Sequence, residues 1–84
     1  MKLIYREDPV YPGWAKQARI PGRVHLTMLI GHDGTVQEAR VISGHPVFYK
    51  AALDAVKRWR HEPPTIYGEP VEVEMSVTLD FKPD

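Results

Sequence analysis

The sequence has no cysteine, no excess of charge of either sign and no long apolar run. Without cysteine the chain can form neither a disulfide nor a thiolate zinc cluster, so an aliphatic and aromatic core must hold its fold. Lysine plus arginine total 11, as do aspartate plus glutamate, whereas a dedicated nucleic-acid binder usually carries a basic excess. Residues 1–5 are followed at once by Arg6, Glu7 and Asp8, so they are too short a run for a signal peptide or a membrane span.

The motifs of common catalytic and metal sites are also missing. Ser43 and Ser76 are the only serines, and neither stands in the G-x-S-x-G setting that exposes a nucleophile. No glycine-rich phosphate loop precedes a helix. A zinc site without thiolates would need imidazoles from a strand, a turn, a loop and a helix end to converge. Those imidazoles belong to His25, His32, His45 and His61. The sequence therefore predicts no enzyme, no metal site and no cofactor.

Two strands joined by a tight turn are predicted in the first half of the chain. Residues 22–30 alternate between apolar and polar side chains, which indicates a half-buried strand. The Asp33-Gly34 pair is typical of a hairpin turn. In the returning strand, residues 35–43, the alternation changes parity. One inserted residue near positions 37–38, a β-bulge, would place on one face the apolar residues Val36, Ala39 and Val41.

Two helices are predicted, each beginning at a proline. Pro12 suits the first turn of a short helix over residues 13–19, with Ala15 and Ala18 on one face. Pro46 precedes a longer helix over residues 47–60. Its apolar residues recur at spacings of three and four, which indicates one buried stripe. The stripe consists of Phe48 or Tyr49, Ala52, Leu53, Val56 and Trp59.

The last strand shows the most regular alternation in the chain. Its apolar members are Val71, Val73, Met75, Val77, Leu79 and Phe81. Its polar members are Glu72, Glu74, Ser76, Thr78 and Asp80. Residues 1–8 are expected to form an extended lead-in, and residues 62–68 a loop. The order predicts one α+β domain over residues 1–84, a two-layer α-β-β-α-β fold with a three-stranded antiparallel sheet and two helices on one face.

Function is less clearly encoded, and two functions and one purely structural interpretation remain open from the residues alone. Lys57, Arg58 and Arg60 surround Trp59, which is compatible with nucleic-acid binding. Cations also stabilise the carbonyl end of a helix, with Asp54 placed to pair with Arg58, so a helix end is the favoured reading. A long strand at a sheet edge would instead bind a peptide through its backbone. The pattern does not decide whether residues 71–81 lie at an edge or in the interior.

Several motifs together resemble the C-terminal domain of TonB-type energy transducers. Residues 11–22 are similar to its pattern Y-P-x-x-A-x-x-A-R-I-x-G, and residues 33–36 to its D-G-x-V turn. Residues 59–63 are similar to its W-R-x-x-P helix ending, and residues 68–71 to its G-x-P-V entry into the last strand. The resemblance covers about Pro9 to Phe81. His61 departs from it, because the family usually has an aromatic residue there.

The resemblance implies a force-coupling function without catalysis. A domain of this kind would lie in the periplasm as part of a longer, inner-membrane-anchored chain driven by ExbB and ExbD. It would add the TonB box of an outer-membrane receptor as a strand beside Val71–Phe81, with Tyr11 and Pro12 near the receptor plug. Uptake of iron chelates or vitamin B12 would follow. The resemblance implies no nucleic-acid partner, and an open edge would also permit a homodimer by strand pairing. The alternative is a TonB-like module fused to other periplasmic or sensory machinery.

Overall fold

The computed structural model describes residues 2–83, which form a three-stranded antiparallel sheet with two helices on one face. This confirms the predicted fold class. Met1 and Asp84, the ends of the predicted domain, lie outside the described residues. The helices are α1 Gly13–Gln17 and α2 Tyr49–Val56. The strands are β1 Leu3–Tyr5, β2 Gly22–Ile30, β3 Val36–Gly44, β4 Arg60–His61, β5 Thr65–Ile66, β6 Glu69–Pro70 and β7 Val73–Phe81.

The sheet has the strand order β3-β2-β7, and β2 lies in the centre. The predicted alternation in β2 is confirmed, since its even-numbered apolar side chains are fully buried beneath the helices. They meet the aromatic ring of Phe48, which stacks on Phe81 with centroids 4.2 Å apart. The β2 members of this core are Val24, Leu26, Met28 and Ile30.

The β2–β3 hairpin contains the predicted bulge and a second, unpredicted one. Leu29 pairs with Glu38 and Ile30 with Val36, so Gln37 is the inserted residue. As a result Val36, Ala39 and Val41 all pack against the core. The second irregularity leaves Ile42 unpaired with β2, and its side chain is exposed.

The first helix is shorter than residues 13–19. It ends at Gln17, and Ala18 follows as its C-cap. Ala15 is buried, whereas Ala18, which was predicted to lie on the same face, is exposed. Arg19 adopts a left-handed conformation (φ 55°), which breaks the helix before Pro21.

The second helix also ends earlier than predicted. A 3-10 turn at Pro46–Phe48 leads into α2, which ends at Val56, with Lys57 as C-cap. Trp59 is nevertheless buried, because a turn after the helix carries it back to the core. Arg60 lies in β4 rather than in the helix, since β4 pairs with β1 of the lead-in.

The loop predicted over residues 62–68 contains β5, which pairs with β6 in a short hairpin. The backbone of Val71 donates to Pro64 O (3.0 Å) and closes the base of this hairpin. The last strand therefore begins at Val73, and the prediction that it begins at Val71 is wrong for Val71 and Glu72.

Candidate peptide-binding edge

Strand β7 forms one edge of the sheet. Within residues 2–83 it pairs with β2 on one side and with no strand on the other. Its nine residues pair with β2 in continuous register from Val73↔Ile30 to Phe81↔Gly22, without a bulge. The sequence pattern did not decide between an edge and an interior position, and the structure shows an edge.

The ladder identifies the backbone groups that face outward from this edge. His45 N donates to Arg23 O (3.2 Å), so Arg23 directs its carbonyl toward β3. Backbone N–H and C=O groups of successive residues point to alternate sides of a strand. The backbone groups of the even-numbered residues of β2 therefore point toward β7. Their partners Val73, Met75, Val77 and Leu79 are thus bonded to β2. Outward N–H and C=O groups remain on Glu74, Ser76, Thr78 and Asp80.

The side chains of β7 divide between the two faces of the sheet. Leu79 and Phe81 are buried beneath the helices, and Val73, Met75 and Val77 are partly buried there. Glu74, Ser76, Thr78 and Asp80 expose their side chains. The four residues with outward backbone groups are therefore also the four with exposed polar side chains. An added strand would pair with them without disturbing the core.

Two contacts across the polar face hold β7 to β2. Asp80 Oδ1 accepts a hydrogen bond from Arg23 Nε at 2.7 Å, and this guanidinium lowers the pKa of Asp80. His25 Nδ1 lies 2.8 Å from Thr78 Oγ1. Both pairs are exposed, so they fix register more than they add stability.

Tyr11 lies beside the C-terminal end of β7, whereas Pro12 lies apart from it. The Tyr11 hydroxyl donates to Ile20 O, and its ring packs edge-on against Phe48 and Phe81. Tyr11 also lines a cavity of about 390 Å³, together with lead-in residues and residues 80–82. Pro12 lines a separate depression on the outer side of α2. Tyr11 thus lies next to the β7 edge, and Pro12 does not.

Strand β3 forms the opposite edge of the sheet and is less suited to pairing. The inserted residues Gln37 and Ile42 interrupt its register with β2 at two places. Bulges bend a strand and break its regular row of outward groups, which is how sheet edges are protected from association. Of the two edges, β7 is therefore the one open to an added strand.

Two members of the basic cluster around Trp59, Arg58 and Arg60, make hydrogen bonds within the domain. Arg58 Nη1 donates to Glu7 Oε1 at 2.7 Å and lowers the pKa of Glu7. Trp59 Nε1 donates to Glu7 O at 2.9 Å, and Arg60 Nη1 donates to Trp59 O at 3.1 Å. The expected Asp54–Arg58 pair is absent, because Asp54 pairs with Lys50 (3.0 Å).

Glu7 was missed at the sequence level. It holds the lead-in against the turn after α2 from 51 positions away in the chain. Nothing in the local sequence indicates this contact, because the two residues lie far apart along the chain and only the fold brings them together.

His61 is a buried histidine in β4. It is 4% exposed, and its Nδ1 has no hydrogen-bond partner among the described residues. Its backbone N–H donates to Gly34 O at 2.8 Å, which ties β4 to the β2–β3 turn. Gly34 has a positive φ of 84°, and a Cβ there would lie 1.9 Å from His61 O. Burial of the imidazole lowers the pKa of His61.

Stability is expected to fall as the pH decreases below about 6.5, the pKa of an unfolded histidine. His61 is neutral in the folded protein because its pKa is lowered, so the unfolded chain binds the proton more readily. The contribution is complete above the unfolded pKa and is lost as the pH falls through the folded pKa. Thermal unfolding measured across this range should show the decline in the unchanged protein and a weaker decline in His61→Phe. Equal declines in both proteins, with the exposed control His32→Gln unchanged, would contradict this assignment.

Other kinds of site find no support among residues 2–83. No group of three or more His, Asp or Glu side chains there could hold a metal ion. No helix in the described part of the chain is long and apolar enough to cross a membrane.

Comparison with known sequences places these features in a family. The profile described as Gram-negative bacterial TonB protein C-terminal matches residues 7–83. The chain is similar to Protein TonB of Escherichia coli (strain K12), with 33% identity over 64 residues, 74% of this chain and 27% of that protein. It is also similar to Protein TonB of Pseudomonas aeruginosa, with 30% identity over 84 residues, 98% of this chain and 25% of that protein. The chain thus spans about a quarter of the length of these relatives.

Solved structures show the same architecture. The solution NMR structure of the Pseudomonas aeruginosa TonB CTD has a TM-score of 0.82 at 30% identity, covering 96% of this chain and 84% of that one. The TonB2 protein from Vibrio anguillarum has a TM-score of 0.71 at 30% identity, covering 98% of this chain and 80% of that one.

Proposed function

Because the chain belongs to the family of Gram-negative bacterial TonB C-terminal domains, we propose that it binds the TonB box of an outer-membrane transporter as an added strand on β7. The observation that carries the proposal is the unpaired, bulge-free edge of Val73–Phe81. The family is one of non-enzymatic energy transducers, which confirms the prediction that the chain is not an enzyme.

The edge is suited to bearing a load. Four residues, Glu74, Ser76, Thr78 and Asp80, each offer an N–H and a C=O to the added strand. Each main-chain hydrogen bond contributes only about 0.5–1.5 kcal/mol net, so affinity comes from the row rather than from one contact. Force directed along the strand is shared by the whole row. Binding is therefore reversible at rest and resists a pull along its axis.

In this proposal the domain lies in the periplasm, within a longer protein anchored in the inner membrane. ExbB and ExbD supply proton-motive energy to that protein. The domain passes the force to the transporter, which takes up an iron chelate or vitamin B12. Tyr11 lies beside the end of β7, where it can meet the receptor next to the added strand. Of the two residues predicted near the receptor plug, the geometry supports Tyr11 more directly than Pro12.

Titration of the isotope-labelled domain with a synthetic TonB-box peptide tests the proposal. Amide shifts are expected to concentrate in residues 73–81 and at Tyr11. A matched peptide with a proline in the middle of the box should produce weaker shifts, because proline removes a main-chain donor. The absence of shifts in residues 73–81 at millimolar peptide would contradict strand addition.

The same edge supports pairing with β7 of a second copy, since an unprotected edge strand is a template for any matching strand. We propose that such a homodimer competes with the TonB box. Sedimentation at increasing protein concentration should reveal it, and the TonB-box peptide should dissociate it. A monomer at all concentrations would contradict self-pairing and leave peptide binding possible.

A further inference from the structure

The β5–β6 hairpin is a tight turn with an unusual residue at its tip. Thr65 pairs with Pro70 and Ile66 with Glu69, which leaves a two-residue turn. Both turn residues have positive φ, 51° at Tyr67 and 82° at Gly68. Positive φ at both central positions defines a type I′ turn, whose preferred sequence is Asn-Gly.

Neither the turn nor the core explains a tyrosine at this position. Residues other than glycine, asparagine and aspartate are strained in the left-handed region, and bulky residues are strained most. The Tyr67 side chain is fully exposed, so no packing in this domain compensates the strain. Ile66 beside it is also mostly exposed. An aromatic side chain held in a strained, exposed position indicates a contact outside the domain.

The hairpin leads directly into the open edge. Pro70 ends β6, and β7 begins at Val73. Glu74 is the first residue with outward backbone groups, and it follows Tyr67 by seven positions, which span at most about 23 Å of extended chain. A folded protein bound along β7 therefore needs to extend no more than about 23 Å beyond Glu74 to contact Tyr67. The neighbouring residues Glu62, Glu69 and Glu72 make this region acidic, which disfavours an anionic lipid surface.

We propose that the β5–β6 hairpin is a second docking contact for the same outer-membrane transporter. In this contact Tyr67 binds the folded part of the transporter, outside its TonB box. This inference rests on the proposed function of β7. Tyrosine is enriched among the residues that dominate interface affinity, because it buries a large rigid surface and keeps a hydroxyl for hydrogen bonding. The β7 edge would then bind the extended segment, and the hairpin would distinguish one folded transporter from another.

The test compares two probes against two variants. The probes are a detergent-solubilised transporter and the synthetic TonB-box peptide alone. Tyr67→Asn places the preferred residue in the turn, so its melting temperature should rise. Its affinity for the transporter should fall by about tenfold or more, while its affinity for the peptide stays the same. Tyr67→Phe keeps the ring and should retain most of the transporter affinity.

Each outcome decides whether the hairpin contacts the transporter. Unchanged transporter affinity in Tyr67→Asn overturns the proposal, and so does an equal loss for peptide and transporter, which would mean that the hairpin acts through β7. Tyr67-dependent retention on phosphatidylethanolamine–phosphatidylglycerol vesicles, with transporter affinity unchanged, would assign the tip to lipid and also overturn it. If the unchanged domain binds neither probe, the proposed function fails, and the hairpin contact fails with it. If it binds both but the variant has no effect, only the hairpin contact fails.

Discussion

Trp59→Ala is expected to destabilise the domain by about 3–5 kcal/mol, which is enough to unfold much of it at ambient temperature. Trp59 is 2% exposed and belongs to the core cluster beneath the sheet. Its Nε1 also donates to Glu7 O, so the substitution removes one of the contacts that hold the lead-in. A domain of this size has little stability to spare, because it buries a smaller fraction of its unfolded surface than a larger domain does.

Denaturant unfolding followed by circular dichroism measures the loss. Trp14 provides a matched control, since it is the other tryptophan and is 61% exposed. Trp14→Ala should change the free energy of unfolding by no more than about 0.5 kcal/mol. Trp59→Phe should retain most of the buried surface but lose the hydrogen bond to Glu7, at a cost of about 1 kcal/mol. A loss below about 1 kcal/mol in Trp59→Ala would contradict its place in the core.

Ser76→Pro is expected to weaken TonB-box binding strongly while the domain stays folded. Ser76 lies in the middle of the edge, and its N–H faces away from β2. Proline is tolerated in edge strands when its missing N–H would face solvent. The substitution removes one donor from the centre of the row, and the proline ring fills the space that the added strand would occupy. Peptide affinity should fall by more than about tenfold, which corresponds to 1.4 kcal/mol.

Two controls separate the edge from the fold. Ser76→Ala keeps the backbone donor and should bind the peptide like the unchanged domain. Val77→Pro removes an N–H that is bonded to β2 and should unfold the sheet. Isothermal titration calorimetry and circular dichroism report binding and folding separately. A folded Ser76→Pro variant with undiminished affinity would show that the peptide does not pair with β7.

The sequence predicts the sheet well because strand alternation is a local property. β2 and β7 each have one face buried, so every second residue must be apolar. The bulge at Gln37 can be predicted from the sequence for the same reason. Buried residues lie on both sides of it, and those after it have the opposite parity from the one before it. The bulge at Ile42 is not visible, because it lies near the strand end, where no buried residue follows to register the shift.

The candidate site is less predictable because it depends on which elements become neighbours. The same alternation fits an edge or an interior strand, so the pattern could not place β7. The end of α2 was misjudged for a related reason. Trp59 continues the apolar spacing of the helix, but pairing of β4 with the lead-in takes Arg60 out of it. Glu7, which holds Arg58 and Trp59, lies outside any local window.

Hydrogen exchange of the β7 amides tests the central claim most directly. In the free domain, the amides of Met75, Val77 and Leu79 should be protected by β2, whereas those of Ser76 and Thr78 should exchange quickly. On addition of a TonB-box peptide, the account predicts that Ser76 and Thr78 become protected as well, so that the alternation disappears. Continued fast exchange of these two amides in the saturated complex would contradict strand addition on β7.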